Sequence, residues 1–208
     1  MTMRRLIDIL TGILVLLIAG PLLLILALAV RLESPGNPFY GGLRVGKHGK
    51  PFRIWKFRSM VKNAGKIGPR ITGKNDPRIT RCGAWLRRTK LDELPQFLNI
   101  LIGNMTLVGP RPEDPDIVAL YTPEQRRILS VKPGITGPSQ LSLQNEESDV
   151  IPESVDVDAY YVEHLLGPKI EADLEYIQSR KWTTDLRILV DTAGRIIRTV
   201  FFKRTETT

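Results

Sequence analysis

The feature that most constrains this chain is an uncharged apolar run close to its N-terminus. Residues Ile9 to Val30 read ILTGILVLLIAGPLLLILALAV, 22 residues without a charged side chain. At about 1.5 Å per residue, a helix of this length reaches roughly 33 Å, enough to cross a hydrocarbon core of about 30 Å. The run is longer than the apolar region of a signal peptide, and no small-residue cleavage site follows it. We therefore predict a membrane segment.

The path of this segment through the membrane has two interpretations. Gly20-Pro21 lies at its midpoint, and basic residues flank both ends, Arg4 and Arg5 before it and Arg31 after it. Basic flanks favour the cytoplasmic side, so a helix that enters, breaks at Gly20-Pro21 and turns back keeps both ends inside. A tilted, kinked helix that spans the bilayer is the alternative, because membrane helices tolerate proline.

Charge and cysteine content limit the partners and the compartment. The formal net charge is +8 and the pI is about 9.8, which indicates an anionic partner: nucleic acid, a phosphorylated small molecule or an acidic membrane surface. Nucleic acid is the least favoured, because the basic residues are scattered and form no recognisable reading element. A single cysteine, Cys82, excludes an internal disulfide and suits a cytosolic location for the folded part.

The remainder of the chain predicts an α+β fold that is mostly helical. Residues 39 to 58 have the strand formers and the Lys-His-Gly-Lys turn of a small β-hairpin. Within it, Gly41 to Lys47 spells G-x-x-x-x-G-K. We reject a phosphate loop here, because His48 follows the lysine and the hairpin turn stands where a helix is needed.

Two helices are predicted in the centre of the chain, a short one over residues 79–88 and a second over LDELPQFLNILIGN, residues 91–104. Pro95 is comfortable only in a first helical turn, which places Asp92 at or near the N-cap. An apolar stripe with helical spacing is expected to face the core: Leu94, Phe97, Leu98, Leu101 and Ile102.

Three further helical patterns follow. TPEQ at 122–125 is a capping box that opens a helix ending before Lys132. Residues 155–180 are predicted to be helical with an interruption at Gly167-Pro168. Residues Thr184 to Phe202 form a basic amphipathic helix, which could lie on anionic lipid, meet another copy of the chain, or pack on the core as an ordinary surface helix.

The carboxylates of Asp92 and Glu93 are the candidate reactive groups. A helix N-terminus stabilises an anion, so we expect Asp92 to be ionised at neutral pH and able to act as a nucleophile. Arginines on both sides of the pair could gather around the same helix start: Arg78, Arg81, Arg87, Arg88 and Arg111. Guanidinium groups at a helix N-terminus are typical of a phosphate site.

This arrangement indicates attack of Asp92 on phosphorus and an acyl-phosphate intermediate, with arginines stabilising the transition state and a divalent cation, naturally Mg²⁺, offsetting the repulsion. The structural alternative is a capping Asp-Glu pair whose arginines are salt-bridge partners. His48 and His164 lie in unrelated contexts without metal-ligand spacing, so a histidine mechanism has little support.

Three ordered blocks resemble a known family. RVGKHGKPFRIWKFRSM, DPRITRCGAWLRRTKLDELPQFLNILIGNMTLVGPRP and YTPEQRRILSVKPGITG are similar to the signatures of the bacterial sugar transferases, the monotopic phosphoglycosyl transferases, over residues 3–137. The resemblance implies transfer of a sugar-1-phosphate from a nucleotide sugar, expected to be a UDP-sugar, to polyprenyl phosphate. It also implies a re-entrant membrane helix, Mg²⁺ dependence and a covalent aspartyl intermediate at the start of glycoconjugate or exopolysaccharide assembly.

By position, the resemblance implies that Asp92 is the nucleophile and that Glu93 is its acidic partner, the two also holding Mg²⁺. It assigns phosphate or substrate binding to a set of basic residues that we extend with Arg78: Lys56, Arg58, Arg78, Arg87 and Arg111. Pro21 matches the helix-bending proline of the family, which favours the re-entrant interpretation.

The chain also departs from the family pattern. Gly20 stands where serine is more usual, and after Gly137 the stretch PSQLSLQNEES replaces the usual Trp-Ala-Gln continuation. A longer helical excursion over Tyr161 to Lys181 follows, and these differences concern the sugar pocket. The additional N-terminal membrane helices of larger relatives are expected to be absent.

We therefore predict a membrane helix over residues 1–32, broken at Gly20-Pro21, and a cytoplasmic catalytic domain over 33–208 with amphipathic interfacial helices. The protein is expected on the cytoplasmic face of the bacterial inner membrane, with nucleotide sugar, polyprenyl phosphate and membrane lipid as partners and a homodimer as a further option. Two other functions are weighed: a membrane-bound nucleotide sugar hydrolase and a non-catalytic anchor that binds anionic lipid.

Overall fold

The computed structural model describes residues 2–142 and 150–201 and confirms a mostly helical fold with small sheets. The helices are α1 Met3–Glu33, α2 Arg81–Thr89, α3 Gln96–Ile102, α4 Pro115–Ala119, α5 Pro138–Ser142, α6 Val157–Tyr160, α7 Leu166–Ser179 and α8 Trp182–Phe201. The strands are β1 Phe39–Val45, β2 Pro51–Phe57, β3 Thr106–Val108 and β4 Gly134–Thr136.

Helix α1 contains the whole apolar run. Of the described helices, it is the one whose length and composition would allow it to cross a membrane. The helix runs through Gly20 and Pro21 without interruption, so the predicted break into two separate helices is not present. Gly20 lies in open space, with no atom near the position that a β-carbon would occupy. A bend at this pair stays a prediction.

Both ends of α1 contact the folded domain. Near its N-terminus, the buried carboxylate of Asp8 accepts hydrogen bonds from the hydroxyl of Thr106 and, at 3.0 Å, from the N–H of Leu107. Near its C-terminus, Leu26 and Val30 are buried in a cluster with Phe57 of β2 and Leu86 of α2. The apolar side chains between these two ends are largely exposed.

The β-hairpin forms as predicted. β1 and β2 are antiparallel, with Val45 opposite Pro51, and the turn between them holds His48 at a φ of 58°. The G-x-x-x-x-G-K stretch lies in β1 and this turn, which confirms that it is not a phosphate loop. Beyond the hairpin, the N–H of Val45 donates to the carbonyl of Glu113 at 3.0 Å, which joins β1 to the segment after β3.

Helix α3 packs differently from the prediction. Leu98 and Ile102 of the apolar stripe are 45% and 66% exposed, whereas Phe97 packs against a core cluster, so the expectation that the stripe faces the core is confirmed only in part. Asn99 and Ile100 are buried, and the Asn99 side chain pairs with the backbone of β2. Part of the apolar face is covered by α1, and the remainder faces outward.

Interruptions in the C-terminal half have local causes. Thr122 and Gln125 form the predicted reciprocal capping box, which opens a 3₁₀ turn over Gln125–Ser130 rather than an α-helix. The predicted interruption lies just before Gly167-Pro168, in a wider π turn over Tyr161–Leu165. Proline lacks an N–H and crowds the preceding turn, which favours such a widening.

Helix α8 packs on the core, as one of the predicted alternatives requires, and it also has an exposed apolar face. Ile188 is buried and Leu189 packs against the same core cluster, whereas Leu186, Val190 and Ile197 are exposed. The helix thus packs on the core with one face and leaves apolar side chains outward on another. The final predicted residue, Phe202, and the divergent residues 143–149 lie outside the described ranges.

A short parallel sheet positions the segment that follows it. Thr106 pairs with Gly134 and Val108 with Thr136. Just beyond the sheet, a β-carbon at Gly137 would lie 2.1 Å from the carbonyl oxygen of Gly109, so this close approach requires glycine. The chain leaves β3 through Gly109 directly into Pro110-Arg111-Pro112.

We predict that Asn99→Ala lowers the free energy of unfolding by about 2 kcal/mol. The Asn99 side chain is fully buried, accepts from the N–H of Trp55 at 2.9 Å and donates to the carbonyl of Arg53 at 2.7 Å. Its loss leaves two buried backbone groups unpaired. Thermal unfolding in detergent measures the effect, with the exposed Gln178→Ala as a control expected to unfold like the wild type. Equal stability of the two variants would contradict this account.

Candidate active site

Asp92 and Glu93 lie on a helical turn that precedes α3. Lys90 ends α2 with a left-handed backbone, φ 59°, and the chain then makes a 3₁₀ turn over Leu91–Glu93. The N-cap position of α3 is Pro95, and it makes no side-chain cap bond. Asp92 therefore lies near the N-cap, as predicted, but not at it, because an additional helical turn is inserted before the proline.

Glu93 is held by two cations from distant parts of the chain. Its Oε1 accepts from Nζ of Lys56 at 2.7 Å and from Nη2 of Arg111 at 3.3 Å. Lys56 comes from β2 and Arg111 from the segment after β3. The fold thus brings together three of the residues that the sequence predicted for the site.

The charge of Glu93 is well compensated. Burial alone would raise the pKa of Glu93, but Lys56, Arg111 and Lys90 hold that pKa far below its ordinary range. Glu93 is therefore an anion at neutral pH. Its pairing makes this carboxylate an anchor for the two cations.

Asp92 has a different environment. Its residue is only 4% exposed, and its Oδ1 has no hydrogen-bond partner among the described residues. Burial raises the pKa of Asp92 and the adjacent charge of Glu93 adds to this effect, whereas Lys56, Lys90 and Arg87 oppose it. The sequence predicted only the stabilising effect of the helix start. An unpartnered carboxylate oxygen beside three cations is a basic, poorly solvated group, as a nucleophile or a metal ligand requires.

Arg87 and Lys90 lie on the other side of Asp92. Arg87, on α2, donates from Nη2 to Oγ1 of Thr72 at 3.0 Å, which links it to the long loop after β2. Lys90 was not among the predicted site residues, although it stands only two positions before Asp92. Its basic side chain at a helix end immediately before Leu-Asp-Glu is the sequence signal that could have identified it.

Two predicted phosphate-binding arginines are used elsewhere. Arg58 donates to the carbonyl and hydroxyl of Ser34, at 2.6 and 2.8 Å, and thereby ties β2 to the end of α1. Arg78 is buried, pairs with Asp76 at 2.6 Å and donates to the carbonyls of Ala64 and Pro69. In this conformation both guanidinium groups organise the backbone around the site, and a phosphate-binding role for them stays a prediction.

The donor set at this site fits a divalent cation that also binds substrate. Among the described residues, no group of three or more histidine, cysteine or acidic side chains forms a ready metal cage. Mg²⁺, however, is commonly held by one or two carboxylates together with substrate phosphates and water. The orphaned Oδ1 of Asp92 and the adjacent Glu93 supply such a pair.

A family model described as bacterial sugar transferase matches residues 1–199. The chain therefore belongs to the bacterial sugar transferase family, as the sequence blocks predicted. This match extends beyond the three blocks and includes α7 and most of α8.

Individual relatives agree with the family. The UDP-glucose:undecaprenyl-phosphate glucose-1-phosphate transferase of Escherichia coli (strain K12) is 39% identical over 197 residues, covering 90% of this chain and 38% of that protein. The undecaprenyl-phosphate galactose phosphotransferase of Salmonella typhimurium is 36% identical over 211 residues, covering 94% and 40%. The exopolysaccharide production protein PSS of Rhizobium leguminosarum is 36% identical over 199 residues, covering 92% and 94%. The chain thus spans about two fifths of the length of the first two relatives and nearly all of the third.

We predict that Lys56→Met lowers the free energy of unfolding by about 3 kcal/mol, because it leaves the carboxylate of Glu93 with one cation fewer in a largely buried site. Thermal unfolding measures this loss. Lys62→Met is the control, since Lys62 is exposed, and it should change stability by less than about 0.5 kcal/mol.

The double variant Lys56→Met/Glu93→Gln should recover part of the loss, because it removes the buried charge together with its partner. Additive losses in the double variant would contradict the pairing of Lys56 with Glu93.

Proposed function

We propose that this protein transfers a sugar-1-phosphate from a nucleotide diphosphate sugar to polyprenyl phosphate through a covalent intermediate on Asp92. One observation carries the proposal: in a bacterial sugar transferase, a buried carboxylate oxygen without a partner lies beside a glutamate that holds a lysine and an arginine together. The cations near Asp92 leave its Oδ1 without a hydrogen-bond partner in the described part of the chain. Such an arrangement suits the binding of phosphate next to a nucleophile.

In the first step, an Asp92 carboxylate oxygen attacks the phosphorus that carries the sugar. A new bond forms between this oxygen and phosphorus, and the bond from phosphorus to the bridging oxygen of the diphosphate breaks. The nucleoside monophosphate leaves with the electron pair. Lys56 and Arg111 lie where they can stabilise the negative charge that develops on the phosphoryl oxygens.

In the second step, an oxygen of polyprenyl phosphate attacks the same phosphorus. The bond to Asp92 breaks, which regenerates the carboxylate and releases the polyprenyl diphosphate sugar. Glu93 keeps Lys56 and Arg111 in place through both steps. Because phosphorus exchanges one oxygen substituent for another in each step, the sequence of steps needs no oxidant or reductant.

Asp92 and Glu93 would hold Mg²⁺, which supplies charge neutralisation between the carboxylates and the diphosphate when it is bound. The raised pKa of Asp92 is consistent with this arrangement, since a buried carboxylate gains most from a cation. The relatives named for UDP-glucose and undecaprenyl phosphate favour a UDP-sugar donor and a long polyprenyl acceptor here as well.

The contacts of α1 support a membrane placement in which the helix enters and leaves on the same side. A spanning helix places its two ends on opposite sides of the bilayer, so the same folded domain contacts only one of them. In this chain, Asp8 near one end and Val30 near the other both contact the domain. We infer that the exposed middle of α1 enters the cytoplasmic leaflet and returns.

Exposed apolar side chains outside α1 support the same placement. They lie on α2, α3 and α8: Trp85, Leu98, Ile102, Trp182, Leu186, Val190 and Ile197. Arg4 at the start of α1 stacks over the ring of Trp182 at 5.2 Å and pairs with Asp185 at 3.2 Å, which joins α8 to the membrane helix. We infer that these helices lie at the lipid interface on the cytoplasmic face of the inner membrane, where a polyprenyl phosphate presents its headgroup.

We predict that Asp92→Asn abolishes the covalent phosphosugar adduct and lowers turnover more than about a thousandfold, because the amide is not a nucleophile. The assay combines purified protein, Mg²⁺ and a panel of UDP-sugars, with intact mass for the adduct and nucleoside monophosphate release for turnover. Asp116→Asn is the control, since Asp116 is an exposed surface carboxylate that pairs with Arg70. A fully active Asp92→Asn protein would overturn the proposal.

The same assay separates the other functions. Addition of polyprenyl phosphate should produce a lipid-linked sugar at the expense of the adduct. Release of free sugar phosphate with no lipid product indicates a hydrolase. Salt-sensitive binding to anionic vesicles without nucleotide release from any donor indicates an anchor.

We predict that neither end of α1 is accessible from outside the cell. In a Cys82→Ser background, Met3→Cys and Leu32→Cys place thiols at positions that are 66% and 77% exposed. An impermeant maleimide should label both in inverted membrane vesicles and neither in intact spheroplasts. Lys62→Cys on the folded domain is the matched control. Labelling of Met3→Cys from outside would establish a spanning helix instead.

A further inference from the structure

Helix α7 contacts the segment that carries Arg111, although α7 lies outside the sequence blocks that predicted the site. Nζ of Lys169 donates to Oε1 of Glu113 at 3.1 Å, two residues after Arg111. Lys169 is only 4% exposed, and its position on the chain is more than fifty residues from the segment that it holds. A buried lysine requires such a partner.

A second residue of α7, one turn later, holds the other part of this segment. Asp173 is buried, accepts from the N–H of Ser139 at 3.2 Å, and faces the backbone N–H of Arg111, whose hydrogen bond favours the charged carboxylate. Ser139 belongs to α5, which follows β4. Asp173 therefore connects α7, the start of α5 and the backbone of Arg111.

Lys169, Tyr161 and Glu113 are joined pairwise by hydrogen bonds. The hydroxyl of Tyr161 donates to Oε1 of Glu113 at 2.6 Å, and Nζ of Lys169 donates to the same hydroxyl at 2.5 Å. Tyr161 is completely buried. The network fixes the carboxylate of Glu113 and, through the short chain between them, limits the movement of Arg111.

We propose that Lys169 and Asp173 are positioning residues that hold the Arg111–Glu113 segment so that the Arg111 guanidinium stays beside Glu93 and can bind the donor phosphate. This inference rests on the proposed function. In this proposal, α7 supports the Arg111–Glu113 segment and does not touch substrate. The additional helical residues of the C-terminal half thereby acquire a role.

Protonation of Asp173 supplies a readout that a purely structural role would not change. Burial raises the pKa of Asp173 to about 6, against the opposing effects of Ser139, Lys169 and the Arg111 N–H. Tyr121 also faces this carboxylate, and its pKa is raised by burial, by Glu113 and by Asp173, so it is neutral throughout the relevant range. Above pH 6, Asp173 is charged and holds the Arg111 N–H. As the pH falls through 6, the carboxylate is protonated and this hold weakens.

The test is the pH dependence of the first half-reaction, measured as nucleoside monophosphate release in one turnover without polyprenyl phosphate. Omission of the acceptor matters because a phosphate monoester titrates near pH 6, whereas the donor diphosphate does not. Wild-type protein should lose rate as the pH falls below about 6. In Asp173→Asn the midpoint of this decline should move to lower pH by at least about one unit. Its rate at pH 7.5 should be about fivefold lower, since a neutral acceptor binds the N–H less strongly.

A second variant tests the same positioning role, and its pH midpoint should shift in the opposite direction. Lys169→Met removes a cation that favours charged Asp173, so the midpoint of the decline should move to higher pH by about one unit. Glu171→Gln removes a charge from an exposed position of the same helix and should keep the wild-type profile. Thermal unfolding at pH 7.5 checks that each variant is folded, and either α7 variant alone suffices for the test.

Unchanged midpoints in the folded α7 variants would overturn the inference while leaving the proposed function in place. Absence of nucleoside monophosphate release from wild-type protein with every donor would overturn the proposed function instead. The two failures are therefore distinguishable in one set of measurements.

Discussion

The burial of two adjacent carboxylates in a basic protein is the constraint on which the active site depends. Charged carboxylates in a poorly solvated site must be offset by cations. Glu93 obtains Lys56 from the β-hairpin and Arg111 from the segment after β3, which fixes the relative position of these two elements. Asp92 is left with an oxygen that no described side chain satisfies. The ion pairs of Glu93 thus maintain the site, and the unsatisfied oxygen of Asp92 is the group that reacts in the proposed mechanism.

The segment that carries Arg111 is held from two directions, and this connects α1 to the site. From the side of α1, Asp8 bonds to the first residues of β3, a few positions before Arg111. From the opposite part of the chain, Lys169 of α7 bonds to Glu113, just after Arg111. The contacts of α1 and of α7 therefore act on one short stretch of backbone. These contacts join α1 to the folded domain at the segment that carries Arg111.

Part of the outer surface of the domain is apolar, which fits the proposed contact with lipid. α3 buries the polar Asn99 together with Ile100 and leaves the apolar Leu98 and Ile102 exposed. In water such exposure is unfavourable, but at a membrane interface it becomes a binding surface. The exposed face of α8 and the cation of Arg4 over Trp182 extend this surface beside α1. In the proposed mechanism, the acceptor lipid and Asp92 then meet at the same boundary.

The long apolar helix, the hairpin, the Asp-Glu pair and the family were all predictable from the amino-acid sequence, because they depend on local composition, spacing and ordered motifs. It also placed Lys56 and Arg111 at the site through the resemblance. Other properties became visible only in the folded chain: which face of α3 is buried, and that Lys90 is among the cations near Asp92 and Glu93. The same holds for the bonds of Arg58 and Arg78 to backbone carbonyls and for the contact of Lys169 with the segment of Arg111. Those properties depend on contacts between residues far apart in the chain. Helical periodicity shows that a face is apolar, but whether protein or lipid covers that face is decided by what packs against it.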